Sequence, residues 1–347
     1  MQAPRMSPGD LSVGFVHAID RALGELGIPA GELLQRFDLG SDRLARAGAR
    51  LSIPHYMRLG HAAITLSGRA ELGLLMGRHS HLQQLGLAGA CAALAPDIRA
   101  AMRCLTGFEP LYASNYLGQS SLQEDASGAW ISFYSIAPYN DYNRFVVDAV
   151  LKGWHSQMQQ IAGREIELER VQIEYPAPPH ARLIEEAFAC PVEFSATANR
   201  LRMRREMLAL PNPLHCAHSW LELLELCRQQ LKLLQTPTSL SGQVSRLMAA
   251  LLRLGEPRLE DIAHQLHMPG WTLQRRLEEE GTGFRQLLQE VRHGLAISYL
   301  RDTLLTVAEV AWLLGFSSSE AFQRAFRRWQ GQTPGQFRRQ CRQAANP

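Results

Sequence analysis

The last third of the chain writes one helix-turn-helix pattern twice, which restricts that region to a small set of all-helical folds. The first copy runs from Ile262-Ala263-His264-Gln265-Leu266 through Met268-Pro269-Gly270 to Leu273-Gln274-Arg275-Arg276-Leu277. The second runs from Val310-Ala311-Trp312-Leu313-Leu314 through Phe316-Ser317-Ser318-Ser319 to Phe322-Gln323-Arg324-Ala325-Phe326. The first helices superpose at an offset of 48 residues and the second at 49, so the second copy carries one extra residue in its turn. A small Ala where two helices cross, an apolar residue one turn later and a short connection are what this packing requires.

In such a unit the second helix lies in the DNA major groove, with its exposed N-terminal residues against base edges. Leu273 and Leu277 turn inward at i, i+4, which makes Trp271, Thr272, Gln274 and Arg275 the expected readers of the first copy. Phe322 and Phe326 do the same in the second, leaving Ser319, Glu320, Gln323 and Arg324. Arg can make two hydrogen bonds to guanine and Gln two to adenine. The plain alternative is a pair of solvated helical faces, but a Gln-Arg dipeptide repeated at a near-constant offset favours readers. Glu320 would repel phosphate, so it either accepts from a cytosine amino group or caps the helix, and the cap is favoured. Arg276, Ser318, Arg327, Arg328, Arg338 and Arg339 are expected on phosphates, the alternative for the C-terminal arginines being a solvated end.

Capping chemistry separates the copies. Thr306-x-x-Glu309 and Ser317-x-x-Glu320 read as capping boxes, whereas Arg258 and Pro269 at the equivalent positions of the first copy cannot accept amide hydrogens. A missing cap costs about 1 kcal/mol, so the first copy is expected to be the less rigid. Between the copies, Phe284 through Leu300 places apolar residues at three and four spacing, a helical pattern. The 17 residues from Arg285 to Arg301 would span about 26 Å at ~1.5 Å each. Such a strut can hold reading helices near 270–279 and 318–328 in successive major-groove segments of one DNA face, which repeat at about 34 Å.

On these residues the stretch from Pro257 to Arg338 resembles the DNA-binding domain of the AraC/XylS transcription regulators. The resemblance is carried by Leu273 to Leu277, Glu280-Gly281-Thr282-Gly283-Phe284, Val310-Ala311 to Leu314-Gly315-Phe316, Phe322 to Trp329 and the closing Gly331-Gln332-Thr333-Pro334-Gly335-Gln336-Phe337-Arg338. The family usually has Ser where Pro269 stands and often Pro where Gly270 stands. The resemblance implies a transcription regulator, more often an activator, with double-stranded DNA, RNA polymerase, a small-molecule effector and a second copy of the chain as partners.

Charge agrees with that division. Residues from 240 onward hold 14 Arg, no Lys and 10 acids, a balance of +4, which leaves −1 for residues 1–239 out of the total of +3. The positive excess sits in the part that would meet phosphate. Met1 to Val16 lacks a basic leader followed by an apolar core, and the apolar stretch Leu85 to Ala95 is too short to span a bilayer, so no membrane partner is expected and a cytoplasmic location is. The six cysteines, Cys91, Cys104, Cys190, Cys216, Cys227 and Cys341, have no metal-type spacing and read as buried reduced thiols.

The preceding region mixes periods. Helical patterns recur at Leu11 to Leu26, His55 to Leu66, Pro96 to Leu105 and Asp141 to Ile161, while Ala129 to Ile136 and Glu167 to Tyr175 alternate like strands. The expected fold class is therefore an α+β N-terminal sensor domain followed by an all-α C-terminal domain with two helix-turn-helix units joined by a linking helix. Expected boundaries are residues 1–235 for sensing and dimerisation, 236–242 for a linker and 243–347 for DNA binding. The N-terminal region resembles the sensor of the AraC/XylS subgroup with ornithine-responsive members, through Ser52-Ile53-Pro54, Glu71-Leu72-Gly73-Leu74, Leu85 to Gly89, and Tyr175-Pro176 through Cys190 to Phe194 and Asn199-Arg200-Leu201.

Three clusters there are open to more than one reading. Arg78-His79-Ser80-His81 offers two imidazoles but no third ligand, so a surface segment is expected and no metal. Tyr139, Asn140, Tyr142 and Arg144, beside Trp154, form a candidate ligand pocket, against a helix start capped by Asn140 or Asp141. Leu214 to Leu234 reads as one helix whose wide apolar surface, including Leu223 and Leu226, serves sensor core plus a dimer seam, or core alone. The leading function is a ligand-responsive, DNA-binding transcription regulator with no cofactor and no catalysis. The alternative is a nucleic-acid-modifying or repair enzyme that uses the same domain for delivery, but it would need a Pro-Cys-His nucleophile setting or a four-Cys cluster, which Cys190-Pro191 and His215-Cys216 do not supply. An enzyme acting on sugars or amino acids lacks a phosphate loop, nucleophile elbow or paired-carboxylate signature.

Overall fold

The computed structural model describes residues 9–115, 118–135, 139–234, 239–252, 255–303 and 305–344. One compact unit is Asp10–Leu234, and Gln235–Pro347 belongs to the other. The first is α+β, with strands β1 (Gly9–Ser12), β2 (Arg50–Ser52), β3 (Ala113–Asn115), β4 (Ser121–Glu124), β5 (Gly128–Phe133), β6 (Arg170–Gln172), β7 (Val192–Glu193) and β8 (Asn199–Arg204). They form a three-stranded sheet in the order β2-β1-β3 and a five-stranded sheet in the order β4-β5-β8-β6-β7.

Period-two alternation sets the larger sheet. Ala129 and Ile131 of β5, Leu201 and Met203 of β8 and Val171 of β6 are buried, with Ile131 opposite Leu201 and Leu201 opposite Val171 in register. The helix Arg144–Ala162 packs against β5 and β8 and buries Val147, Leu151, Trp154, Met158 and Ile161 at helical spacing. The opposite face is polar, and Trp130 lies under Arg200 at 4.1 Å and Arg202 at 5.5 Å. Arg202 in turn makes two 2.8 Å bonds to the Asp125 carboxylate, which hold that acid well below the usual carboxylate range. The helix Leu72–Arg78 approaches the long helix closely, since a Cβ at Gly73 would stand 2.6 Å from the Phe145 carbonyl oxygen.

Several boundaries differ from the sequence pattern. The helix expected from Leu11 starts only at Val16, because Leu11 pairs across to Leu51 in a strand and the Ser12 hydroxyl caps a short 3-10 turn, Val13–Phe15. The strand expected over Ala129 to Ile136 ends at Phe133, and Ile136 lies outside the described residues. Of Glu167 to Tyr175 only Arg170–Gln172 is strand. Cys91, Cys104 and Cys227 are buried, but Cys216 is exposed just before the helix Ala217–Leu234. That helix starts three residues after Leu214 and lays Trp220, Leu223, Leu224 and Leu231 on the core, leaving Leu221, Leu226, Leu233 and Leu234 exposed. Leu223 is thus core rather than free surface.

The second unit is all helical: Leu240–Leu251, Leu259–Gln265, Gly270–Glu279, Phe284–Asp302, Val307–Leu313, Ser319–Gln330 and Pro334–Ala344. The expected linker is shorter than 236–242. Thr236, Pro237 and Thr238 lie outside the described residues, whereas Ser239 already caps the next helix through Gly242 N at 3.3 Å, which makes Leu240 to Gly242 its first turn. No helix among the described residues is long and apolar enough to cross a membrane.

Candidate nucleic-acid interface

Each turn of the repeated unit is closed by the same two backbone bonds. In the first copy His267 N donates to His264 O at 3.1 Å and Met268 N to Ala263 O at 3.0 Å; in the second, Gly315 N donates to Trp312 O at 2.9 Å and Phe316 N to Ala311 O at 3.0 Å. Both closures use a left-handed residue, His267 at φ 53° and Gly315 at φ 66°. The caps of the following helices are Pro269 and Ser318, one residue further on in the second copy, where the extra turn residue was expected.

Leu273 and Leu277, and Phe322, Ala325 and Phe326, are buried, so the helical period carries the expected readers outward. Trp271 is 68% exposed, and Gln274, Arg275 and Arg276 are exposed, while Thr272 is half-buried. Gln323 and Arg324 are exposed, as are Glu320, Arg327 and Arg328; Ser319 is half-buried and donates its hydroxyl to Glu320 Oε1 at 3.1 Å. The cap of this helix is Ser318, not Ser317, because its hydroxyl accepts from Ala321 N at 3.2 Å; Glu320 therefore closes no box. A hydrogen bond from its own backbone amide and others from Ser318 and Ser319 hold the Glu320 carboxyl below its ordinary value. Thr306 and Glu309 do form both arms of a box, at 2.6 and 3.1 Å.

The two reading helices differ one turn beyond the Gln-Arg pair. Gln274 donates to Glu278 at 3.3 Å and Arg275 pairs with Glu279 at 3.5 Å while lying 5.8 Å from the Trp271 ring, so one helical turn supplies each reader with an acid. The corresponding positions of the second copy are Arg327 and Arg328.

Two arginines hold the fold together in a way that spacing did not reveal. Arg292, on the linking helix Phe284–Asp302, is buried; its Nε donates to Leu314 O and its second nitrogen to Gly315 O, both at 2.8 Å, it pairs with Glu256 at 3.3 Å and it lies 4.5 Å over the Phe316 ring. It fastens the turn of the second copy to the strut. Arg338, expected on phosphate, instead turns inward and donates to the Leu300 and Leu305 carbonyl oxygens at the far end of the strut. The Leu300 carbonyl lies in the last turn of the strut, where helical partners run out, and Leu305 lies in the connection beyond it. Arg339 is exposed.

The expected ligand cluster is mostly dispersed. Asn140 Oδ1 accepts from Tyr142 N and Asn143 Oδ1 from Asn140 N, each at 2.8 Å, so the asparagines shape the turn into the long helix. Tyr142 stacks on His61 with ring centroids 3.8 Å apart, Tyr139 donates to Glu174, and Arg144 faces Asp141 at 3.6 Å. Trp154 alone of the five lines a cavity inside the first unit, a space of about 100 Å³ open to the centre of a water molecule. Its polar lining includes Ser80, Glu109, Ser120 and Gln157, none of them anticipated. Gln157 had a signal, being a polar residue inside the apolar stripe of Leu151, Trp154, Met158 and Ile161; Glu109, in an irregular turn, had none. His79 pairs with Glu25 at 2.6 Å.

Residues 27–212 match the arabinose-binding domain of AraC transcription regulator, N-terminal, and residues 262–340 match a helix-turn-helix domain. The chain is 29% identical to the ornithine utilization regulator of Pseudomonas aeruginosa, over 94% of this chain and 95% of that protein. It is also 29% identical to the regulator VirS of Mycobacterium tuberculosis, over 90% and 92% of the two chains. The crystal structure of the transcriptional regulator CdpR from Pseudomonas aeruginosa aligns over 94% of this chain and 98% of that one, at 22% identity and a TM-score of 0.45.

Proposed function

The chain belongs to the AraC family of transcription regulators, and from that premise we propose that it reads two successive major-groove segments with the helices Gly270–Glu279 and Ser319–Gln330. The observation that carries this reading is the turn built twice with the same backbone bonds, each time presenting Gln and Arg outward. Base contacts are assigned to Trp271, Thr272, Gln274, Arg275, Ser319, Gln323 and Arg324, with Glu320 at the edge of the second set. Phosphate contacts are assigned to Arg276, Ser318, Arg327, Arg328 and Arg339. Arg338 is left to the fold, since its guanidinium is already engaged with carbonyls. The 19-residue linking helix is about 28 Å long, close to the ~34 Å repeat that two readings on one DNA face require.

The first unit is assigned to effector binding, and to pairing of two chains through the exposed Leu226 and Leu233, which lie one heptad apart on the helix Ala217–Leu234. Activation through RNA polymerase in the cytoplasm completes the proposal. Arg275→Ala and Arg324→Ala should each lower specific affinity by about 1 to 3 kcal/mol and relax base preference in one groove segment only. Footprints on fragments recovered by genome-wide mapping of bound sites provide the test. Two variants that both retain wild-type affinity and preference would rule out this docking.

A further inference from the structure

The cavity of the first unit has a consistent chemical bias. Its walls are mainly apolar and aromatic, with Phe15, Tyr56, Tyr112, Phe133 and Trp154 among them, and no Lys, Arg or His lines it among the described residues. Its polar groups include donors as well as acceptors, the Ser135 and Tyr56 hydroxyls and the Trp154 indole N–H among them, but Glu109 is its one charged side chain among the described residues. Gln157 is 97% buried and donates one amide N–H to Ser80 Oγ at 3.0 Å, while its buried Oε1 has no donor. Glu109 accepts from Ser120 N at 2.5 Å and Ser120 Oγ at 2.7 Å, one bond to each oxygen. A carboxylate has about four lone-pair sites, so roughly two remain, and Glu109 has no ion-pair partner among the described residues. Burial pushes its carboxyl up, and the two Ser120 bonds only partly offset that rise.

A ligand with a carboxylate would meet Glu109 with no countercharge at hand. A cation with N–H donors supplies that countercharge, and aromatic faces tolerate it. We propose that this cavity binds an ammonium ligand with an apolar body, its charged head on Glu109. The assignment rests on the reading of the first unit as an effector domain and names the class of effector. The space is several times the ~10–15 Å³ that one water needs by the same measure, enough for a small alkyl or aryl amine.

Three probes of matched shape test it on the whole chain by titration calorimetry and thermal shift: 2-phenylethylamine, 2-phenylethanol and phenylacetate. The amine should bind at least tenfold more tightly than either analogue. Glu109→Gln should lower amine affinity tenfold or more with circular dichroism unchanged. Val150→Trp, which fills the cavity from the long helix, should abolish the binding and serves if Glu109→Gln does not fold. Equal binding of the acid, amine binding that survives both Glu109→Gln and Val150→Trp, or no binding of any probe would overturn the proposal. DNA binding without a probe is measured in parallel by gel shift, so failure of the regulator reading would appear there and not in these titrations.

Discussion

The two helix-turn-helix units share one backbone design and differ in almost everything that surrounds it. The first is packed with aliphatic side chains, Ile262, Leu273 and Leu277, closes on a left-handed His267 and starts its reading helix without a side-chain cap. The second is built around Phe316, Phe322, Phe326, Trp329 and Phe337 in mutual ring contact, closes on Gly315 and is capped at both helix starts. Arg292 ties the second unit to the strut. The first instead reaches outward through Glu280, which accepts from Leu240 N at 2.7 Å and Ser241 N at 2.9 Å and so caps the preceding helix. Near-identical turn geometry can therefore be reached with one unit pinned and buried and the other more loosely held. The less constrained unit is the one in which the Gln-Arg pair is already engaged by acids, while the pinned unit carries Arg327 and Arg328, which have no ion-pair partner among the described residues.

The largest effect should come from the pin. Arg292→Met leaves the Leu314 and Gly315 carbonyls without their buried donor and should cost about 3 to 5 kcal/mol. Hydrogen exchange read by mass spectrometry should show protection falling over residues 307–330 and holding over 259–279. Equal losses in both would mean the units fold as one cooperative block and would remove the contrast. Next comes the left-handed position. Gly315→Ala adds a Cβ 2.6 Å from Leu252 O in a backbone conformation that itself costs an alanine about 1 kcal/mol or more. We expect about 2 kcal/mol lost by thermal unfolding. His267→Gly, at the same place in the other turn, should gain about 0.5 to 1 kcal/mol. A loss in both would show that His267 makes a contact worth more than its strain.

The smallest effect concerns charge. Glu278→Gln with Glu279→Gln should raise affinity for random duplex only a few-fold, since exposed ion pairs are worth under about 1 kcal/mol each. Arg327→Ala with Arg328→Ala should lower it and flatten the salt slope by roughly two units. Gel shifts across a salt series decide the matter. If the glutamine pair lowered affinity instead, Glu278 and Glu279 would be positioning Gln274 and Arg275 for the groove rather than shielding them.

Much of this protein was written locally. The repeat, the strut, the burial of Leu273, Leu277, Phe322 and Phe326, and the outward Gln-Arg pairs all come from a 3.6-residue period, because a residue's place on an isolated helix fixes which side it can bury. The Thr306–Glu309 box was legible for the same reason, since both partners lie within one turn. Contacts across sequence decided the rest. Ser318 takes the cap from Ser317 because the turn is one residue longer, and Leu11 joins a strand because Leu51 is opposite. The roles of Arg292 and Arg338 depend on carbonyls 22 and 38 residues away. The cavity shows the limit most plainly. Glu109 lies far along the chain from the long helix that carries Trp154 and Gln157, and no local pattern can say that this acid and that helix will line the same apolar space. Side-chain period is a property of one element, whereas a cavity is a property of how several elements fail to fill the volume between them, and only the tertiary structure determines that.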